Sequence, residues 1–134
     1  MELKTLVEEA LKYISNKYEY EIKEDIYFIS IEMYKNKKEV IRVYKDKVET
    51  EISNEDIIVI DTNIEIKNLE NKEYFYEYNQ DTFFSKIYFN DENTLLIESC
   101  YLNDNTTPKS LALIINEISN ISYNIRMDLL EMEV

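Results

Sequence analysis

The acidic side chains are the residues of this chain whose types and spacing could do chemistry. Adjacent carboxylates occur in the predicted turns at Glu24 and Asp25, Glu55 and Asp56, and Asp91 and Glu92. Paired carboxylates can act as general acid and base, but each of these pairs falls in a predicted turn, where acids are solvated. The chain also has no histidine, the usual near-neutral base and commonest metal ligand. We therefore predict a non-enzymatic protein with no catalytic residue, no metal and no cofactor.

Composition excludes further kinds of site. The chain has no glycine, which excludes glycine-rich phosphate loops. Residues 90–93 have the composition of half a calcium loop, but they lack its glycine and its bidentate glutamate. Cys100 is the only cysteine, so it has no internal disulfide partner. We interpret it as a small core or sheet residue, because activating a thiolate requires a histidine, a cation or a helix N-terminus nearby.

Negative charge is concentrated in the second part of the chain. Residues 1–53 carry 10 Lys and Arg against 12 Asp and Glu, whereas residues 54–134 carry 5 against 16, for net charges of −2 and −11. Such a field repels nucleic acids and anionic membranes and attracts basic protein surfaces. We therefore predict a protein partner with a basic surface, and no direct nucleic-acid or membrane binding. The alternative is that acidity only keeps the protein soluble.

Tyrosines accompany these acids and complete the candidate binding site. The chain has twelve, and those of the acidic part include Tyr74, Tyr76, Tyr78, Tyr88 and Tyr101. Tyrosine is enriched in binding hot spots, although it is also an ordinary strand former with a solvated hydroxyl. The predicted partner-binding residues are Glu70, Glu73, Tyr74, Tyr76, Glu77, Tyr78, Asp81, Asp91 and Glu92.

Hydrophobic periodicity predicts the elements that position these residues. An amphipathic helix is predicted over residues 2–17, with apolar residues at Leu3, Leu6, Val7, Ala10, Leu11 and Ile14. From residue 18 to 66 the period changes to two. Strands are predicted at 27–33, 39–44, 48–52 and 57–66, with turns at 36–38, 45–47 and 53–56. Residues 69–79 fit either a strand or a short helix, and we favour the helix.

The last third of the chain predicts a hairpin followed by a long helix. Residues 84–102 contain two apolar runs separated by the polar residues 90–93, the pattern of a β-hairpin. Thr107 is the predicted N-cap of the helix and Pro108 its first residue. A nearly heptad stripe follows at Leu111, Ile114, Ile118, Ile121, Ile125, Leu129 and Met132. We expect this stripe to pack on the sheet, with a homodimer seam as the alternative.

These elements predict one α+β domain over residues 1–134. It would have an N-terminal helix, an antiparallel sheet of five or six strands, and a long C-terminal helix packed on that sheet. No apolar run reaches the roughly 20 residues that a membrane span needs, and the first ten residues do not read as a signal peptide. The expected location is the cytoplasm.

A succession of patterns comprises Tyr78-Asn79, the run Phe84-Ser85-Lys86-Ile87-Tyr88-Phe89, the run Thr94-Leu95-Leu96-Ile97-Glu98-Ser99, and the proline-led terminal helix. Over about 55 residues, this succession resembles the second half of the YbjN family. The resemblance implies a fold similar to type III secretion chaperones, with a bent antiparallel sheet, a middle helix and frequent dimerisation. It also implies a non-enzymatic binder of other proteins, and it transfers no site residues.

Two functions are compatible with these observations. The first is a small acidic adaptor, regulator or chaperone-like protein whose sheet face and acidic rim hold a protein partner. The second is an inhibitor that imitates nucleic acid, such as a phage anti-defence or immunity protein bound to a basic nuclease surface. Its candidate phosphate-like charges are Asp56, Asp61, Glu65, Glu70, Glu73, Glu77, Asp81, Asp91 and Glu92. Clustering of these charges on one surface would favour the second function, whereas an apolar groove would favour the first.

Overall fold

The computed structural model describes residues 1–66 and 72–132 and has an α+β architecture. Helix α1 spans Leu3–Leu11, the short helix α2 spans Lys72–Tyr76, and helix α3 spans Pro108–Met132. The strands are β1 Tyr18–Lys23, β2 Ile26–Glu32, β3 Lys38–Glu49, β4 Asn54–Ile64, β5 Lys86–Phe89 and β6 Leu95–Leu102. They form one antiparallel sheet in the order β1-β2-β3-β4-β6-β5, so the predicted fold class is confirmed.

Strand alternation gives the sheet two different faces. Residues directly opposite on antiparallel strands point to the same side, so Ile29, Ile41 and their cross-strand neighbours form one apolar face. Helices α1 and α3 cover this side, which we call the helix face. The other side, which carries Arg42 and Asp61, is the open face. The core therefore lies between the helix face and the two long helices.

Helix α3 begins and packs as its sequence predicts. The amide of Ser110 donates to Thr107 Oγ1 (3.1 Å), and the amide of Thr107 donates to Ser110 Oγ (2.9 Å), so the two hydroxyls cap the first turn. Five residues of the predicted stripe are buried in the core: Leu111, Ile114, Ile118, Ile121 and Ile125. Leu129 is half-buried at the end of the stripe, and the side chain of Met132 lies outside the described part. The stripe thus packs within its own chain.

A buried carboxylate fastens the end of α3 to the sheet. Glu39 in β3 points to the helix face and is buried. It accepts hydrogen bonds from the hydroxyl of Ser122 and from Nε of Arg126 (3.0 Å), and Arg126 Nη2 also donates to the carbonyl of Asn63 (3.1 Å). Because a buried charge is costly unless it is paired, these bonds select one seating of α3 on β3.

The predicted hairpin and middle helix are both present. Strands β5 and β6 pair with Ile87 opposite Ile97, and residues 90–94 connect them. Asn90 closes the turn, because its Oδ1 accepts from the amides of Glu92 (3.0 Å) and Thr94 (2.9 Å). Residues 72–81 are helical, as favoured, with α2 running into the 3₁₀ turn Glu77–Asp81. The remainder of the predicted segment, residues 69–71, lies outside the described residues.

The first helix is shorter than predicted. It ends at Leu11, whereas the predicted helix runs to residue 17 because the helical apolar spacing continues to Ile14. The helix ends early because the residues that follow it bond to strand β2 of the sheet. Asn16 Nδ2 donates to the carbonyl of Glu32 (2.9 Å), and the carbonyl of Lys17 accepts from the amide of Glu32 (2.8 Å). The exposed strand β1, which was not predicted separately, follows from this contact.

The turn predicted at residues 45–47 is also wrong. Strand β3 continues through these three charged residues to Glu49, and the turn comes at residues 50–53, where the amide of Thr50 donates to the carbonyl of Ser53 (2.9 Å). Residues 45–56 form a two-stranded ribbon that extends past the ends of β2 and β6. The predicted half-buried strand at residues 48–52 is therefore an exposed hairpin end, with Ile52 at its tip.

The turn between β2 and β3 lies slightly earlier than predicted. It occupies Tyr34–Asn36 instead of residues 36–38, because Lys38 already pairs with Glu32. Lys35 and Asn36 have φ values of 59° and 61°, in the left-handed region that glycine would occupy in other chains. None of the helices in the described ranges has the length and apolar content needed to cross a membrane.

Candidate partner-binding site

A shallow groove of about 240 Å³ lies along α2 and the 3₁₀ turn that follows it. Its lining residues are Tyr74, Glu77, Tyr78, Gln80 and Asp81. Four of them belong to the predicted partner-binding set, and none of the five is a lysine or arginine. The rings of Tyr74 and Tyr78 are one helical turn apart, with centroids 6.0 Å from each other and planes at 87°. The groove therefore combines an aromatic corner with two carboxylates.

Tertiary contacts hold this groove in place. Phe75, on the inner side of α2, is buried and stacks edge-on against Phe89 of β5, with centroids 6.0 Å apart. Asn79 closes the edge of β5, since its Oδ1 accepts from the amide of Ile87 (2.7 Å) and its Nδ2 donates to the same residue's carbonyl (3.0 Å). The groove is thus anchored to the sheet and not carried on a free loop.

Tyr78 links the groove to the long helix. Its hydroxyl donates a hydrogen bond to Oδ2 of Asp128 in α3. Burial raises the pKa of Tyr78, and the neighbouring carboxylate of Asp128 raises it further, because both disfavour the phenolate. The phenol is therefore neutral at physiological pH. A cation over the face of a neutral tyrosine ring, close to carboxylates, is stabilised electrostatically.

The other predicted site residues lie outside this groove. Tyr76 is exposed and its ring packs on Phe89, with centroids 5.9 Å apart. Asp91 and Glu92 are exposed at the tip of the β5–β6 hairpin, where Lys72 Nζ donates to Oδ1 of the neighbouring Asn93 (2.6 Å). Glu73 is exposed on α2, and Glu70 lies outside the described residues. The eight predicted residues that the structure describes therefore divide between the groove and its surroundings.

The structure adds a neighbouring feature that sequence reasoning missed. Three consecutive amides, from Phe83, Phe84 and Ser85, donate to the carboxylate of Glu117 in α3 at 2.5, 3.0 and 3.0 Å. The hydroxyl of Ser85 adds a fourth hydrogen bond of 2.8 Å. This anchored segment leaves Phe83 90% exposed, only two residues after Asp81 of the groove. Adjacent phenylalanines beside a polar turn were the only sequence signal for it.

A second feature missed by sequence reasoning is a row of charges across the open face. Arg42 lies opposite Asp61, Asp61 opposite Glu98, and Glu98 opposite Lys86, so the row crosses β3, β4, β6 and β5. Arg42 donates to both oxygens of Asp61 (2.7 and 2.9 Å), and Tyr44 donates to Oδ2 (3.1 Å). Asp61 is 2% exposed, which removes it from the charges available to imitate phosphate.

Side chains on the open face also donate hydrogen bonds to the carboxylates of this row. The hydroxyl of Tyr88 donates to Glu98 Oε2 (2.9 Å). Burial, as the larger cause, and this carboxylate, as the second, raise the pKa of Tyr88 to about 12. Burial and the carboxylate of Asp61 likewise raise the pKa of Tyr44. Neither phenol is therefore poised as a base or nucleophile near neutral pH. Among residues 1–66 and 72–132, no group of three or more metal-ligating side chains could hold an ion.

We expect Cys100 to react slowly with alkylating agents. It lies on the open face with its sulfur 3.6 Å from Glu98 Oε1. Partial burial, followed by the charge of Glu98, raises the pKa of the thiol from 9.0 to about 11. The thiolate fraction at pH 8 falls about 100-fold, and the greater nucleophilicity of a more basic thiolate recovers roughly tenfold. Iodoacetamide should therefore modify the folded protein roughly tenfold more slowly than an unstructured cysteine peptide.

The matched variant for this measurement is Glu98→Gln, which should accelerate alkylation because it removes the nearest negative charge. Mass spectrometry over a time course at pH 8 gives both rates. A folded wild-type protein that is alkylated as fast as the peptide would contradict the assigned environment of the thiol.

Comparisons of this chain with protein-family models, with curated proteins and with solved structures found no match.

Proposed function

We propose that this chain is a non-enzymatic acidic protein-binding module, chaperone-like or an adaptor, that holds a basic segment of a partner protein. The observation that carries the proposal is the groove lined by Tyr74, Glu77, Tyr78, Gln80 and Asp81. A lysine or arginine side chain placed there would meet tyrosine faces and carboxylates together. Nothing in this set of groups would turn over a substrate.

The long-range charge supports the same proposal. Residues 54–134, which include the groove, carry a net charge of −11. Such a field accelerates encounter with a basic surface and makes the association sensitive to salt. The close contacts in the groove would then decide which basic segment remains bound. The resemblance to the YbjN family, which implies binding of other proteins, agrees with this function.

The placement of the acids favours this function over imitation of nucleic acid. Asp61 is buried against Arg42. Asp56 and Asp91 lie towards opposite ends of the sheet, because Ile57 pairs with Leu102 whereas Asp91 lies beyond the pairing of Phe89 with Leu95. Charges distributed in this way do not form one phosphate-like track. A nuclease inhibitor therefore remains the alternative proposal with less support.

We expect the double variant Glu77→Gln/Asp81→Asn to weaken binding of a lysine-serine peptide at least fivefold. The peptide is a fluorescein-labelled Lys-Ser repeat of eight residues, and fluorescence anisotropy at 50 and 200 mM salt measures its affinity. Both changes remove charge from exposed side chains, so the fold should be unaffected. Wild-type binding should weaken between the two salt concentrations because it depends on charge.

The matched control is Glu49→Gln/Glu51→Gln on the ribbon, which removes two charges from exposed positions away from the groove. If binding depends only on net charge, both double variants will lose affinity equally, and the groove is then not the binding site. Absence of wild-type binding at 50 mM salt would overturn the proposed function itself.

A further inference from the structure

Phe83 and Phe84 form an exposed aromatic pair beside the groove. Phe83 is 90% exposed and Phe84 is also exposed, with ring centroids 6.5 Å apart. Leu113 is exposed on α3, one helical turn before Glu117, whose carboxylate contacts the segment that carries these rings. The two rings therefore form an exposed apolar patch beside α3, which we call the Phe83 patch.

Several hydrogen bonds fix the backbone of the connecting segment that carries this patch. One carboxylate accepts the amides of residues 83–85 and the hydroxyl of Ser85, and the carbonyl of Phe84 accepts from the hydroxyl of Ser99 (2.8 Å). Charge-assisted hydrogen bonds of this kind are about twice as strong as neutral ones. The bonds hold the backbone while leaving the Phe83 ring in water, so binding through this ring would order less backbone than binding through a free loop.

The Phe83 patch adjoins the acidic groove. Asp81 lines the groove, and Thr82, the next residue, is extended with φ −96° and ψ 142°. The Cα atoms of Asp81 and Phe83 are therefore at most about 7 Å apart. An extended peptide advances about 3.3 Å per residue and places every second side chain on the same side. A ligand with a cation in the groove would therefore present its next same-side residue to Phe83.

We propose that the Phe83 patch is the apolar half of the binding site, and that it selects a partner segment with an aromatic or large aliphatic side chain two residues from a lysine or arginine. This proposal rests on the proposed function and specifies its ligand. Charge complementarity identifies the cation, and the exposed rings identify the apolar neighbour. Glu117 is a positioning residue, because it holds the patch without reaching the ligand.

Two labelled peptides of equal length and charge test this inference. The first repeats Lys-Ser-Ser-Ser twice, and the second repeats Lys-Ser-Phe-Ser twice, which places phenylalanine two residues from lysine. Each peptide therefore has eight residues and two lysines, and the two differ only in the replacement of serine by phenylalanine. Wild-type protein should bind the phenylalanine peptide at least tenfold more tightly in fluorescence anisotropy.

The variant Phe83→Ala should abolish this preference and leave the affinity for the Lys-Ser-Ser-Ser peptide within twofold of wild type. Its side chain is almost fully exposed, so the substitution should not disturb the fold. Glu117→Gln should reduce the preference in the same direction, with thermal unfolding as the check that the protein remains folded. Ile52→Ala, at the exposed tip of the ribbon, is the matched control and should keep the full preference.

The outcomes separate the two proposals. Equal wild-type affinity for both peptides, or a preference that survives Phe83→Ala, would overturn the role of the patch and leave the groove intact. If the wild-type protein binds neither peptide, the proposed function itself is overturned. A preference lost equally in Ile52→Ala would mean that exposed apolar residues bind the peptide without a defined site.

Discussion

Replacing Arg42 with alanine should lower the free energy of unfolding by about 3 kcal/mol. Asp61 is 2% exposed and would lose two hydrogen bonds, of 2.7 and 2.9 Å, from the guanidinium group. Removing one partner of a buried ion pair costs about 3–5 kcal/mol, because the remaining charge is uncompensated. The lower end applies here, since the Arg42 side chain is 33% exposed and the hydroxyl of Tyr44 still donates to Asp61.

Urea unfolding followed by circular dichroism measures this loss. Lys86→Ala is the matched control, because it removes another cation from the same face. Lys86 lies 3.8 Å from Glu98 and its side chain is mostly exposed, so this change should cost less than about 0.5 kcal/mol. The double variant Arg42→Leu/Asp61→Leu should recover most of the stability, because it leaves no buried charge. Equal small effects of both alanine variants would show that Asp61 is more solvated than the structure indicates.

Ile114→Ala should lower the free energy of unfolding by roughly 4 kcal/mol. Ile114 is 0% exposed in the middle of the α3 stripe and packs in the core between helix and sheet. Truncating a buried isoleucine to alanine costs about 2–5 kcal/mol, because transfer free energy is lost and a cavity remains. The neighbouring Leu113→Ala is the control within the same helix. Leu113 is 46% exposed, so its truncation should cost less than about 1 kcal/mol.

The same measurement tests the alternative of a dimer seam. If the stripe packs within one chain, the unfolding midpoint of wild type is independent of protein concentration. A midpoint that rises with concentration would mean that association contributes to the stability. Comparable losses for Ile114→Ala and Leu113→Ala would contradict the seating of α3 described above.

Much of the fold could be predicted from local patterns. The α3 stripe was visible because Leu111, Ile114 and Ile118 repeat at spacings of three and four, and its start because Thr107 precedes a proline. The β5–β6 hairpin was visible because two apolar runs flank four polar residues. Such signals depend only on residues close in sequence, because hydrophobic periodicity and turn-forming residues specify local conformation directly.

The errors arose where distant contacts override local patterns. The charges at residues 45–47 resemble a turn, yet they continue β3 because Asp46 and Lys47 pair with Ile57 and Asp56 of β4. The apolar spacing of Ile14 resembles helix, yet Asn16 bonds to Glu32 and draws the chain into the sheet. In both places a partner on another strand determines the conformation, and the pattern of residues within the segment itself does not reveal that partner.

The candidate site was predictable only in part for the same reason. Tyr74 and Tyr78 are four residues apart, so their pairing follows once the segment is a helix. The anchoring of Phe83 by Glu117 joins residues 34 positions apart. The charged row on the open face likewise depends on strand order, which places Asp61 opposite Glu98.

The ribbon of residues 45–56 also bears on intermolecular sheet formation. In the described part of the chain, no strand pairs with β3 beyond Val43 on its β2 side, or with β4 before Ile57 on its β6 side. Both edges of the ribbon therefore present unpaired backbone groups, the template on which other chains form intermolecular sheets. The charges of Lys45, Lys47, Glu55 and their neighbours oppose such pairing. The charged residues 45–47, which resembled a turn, thus disfavour intermolecular pairing at the β3 edge, and Glu55 and Asp56 disfavour it at the β4 edge.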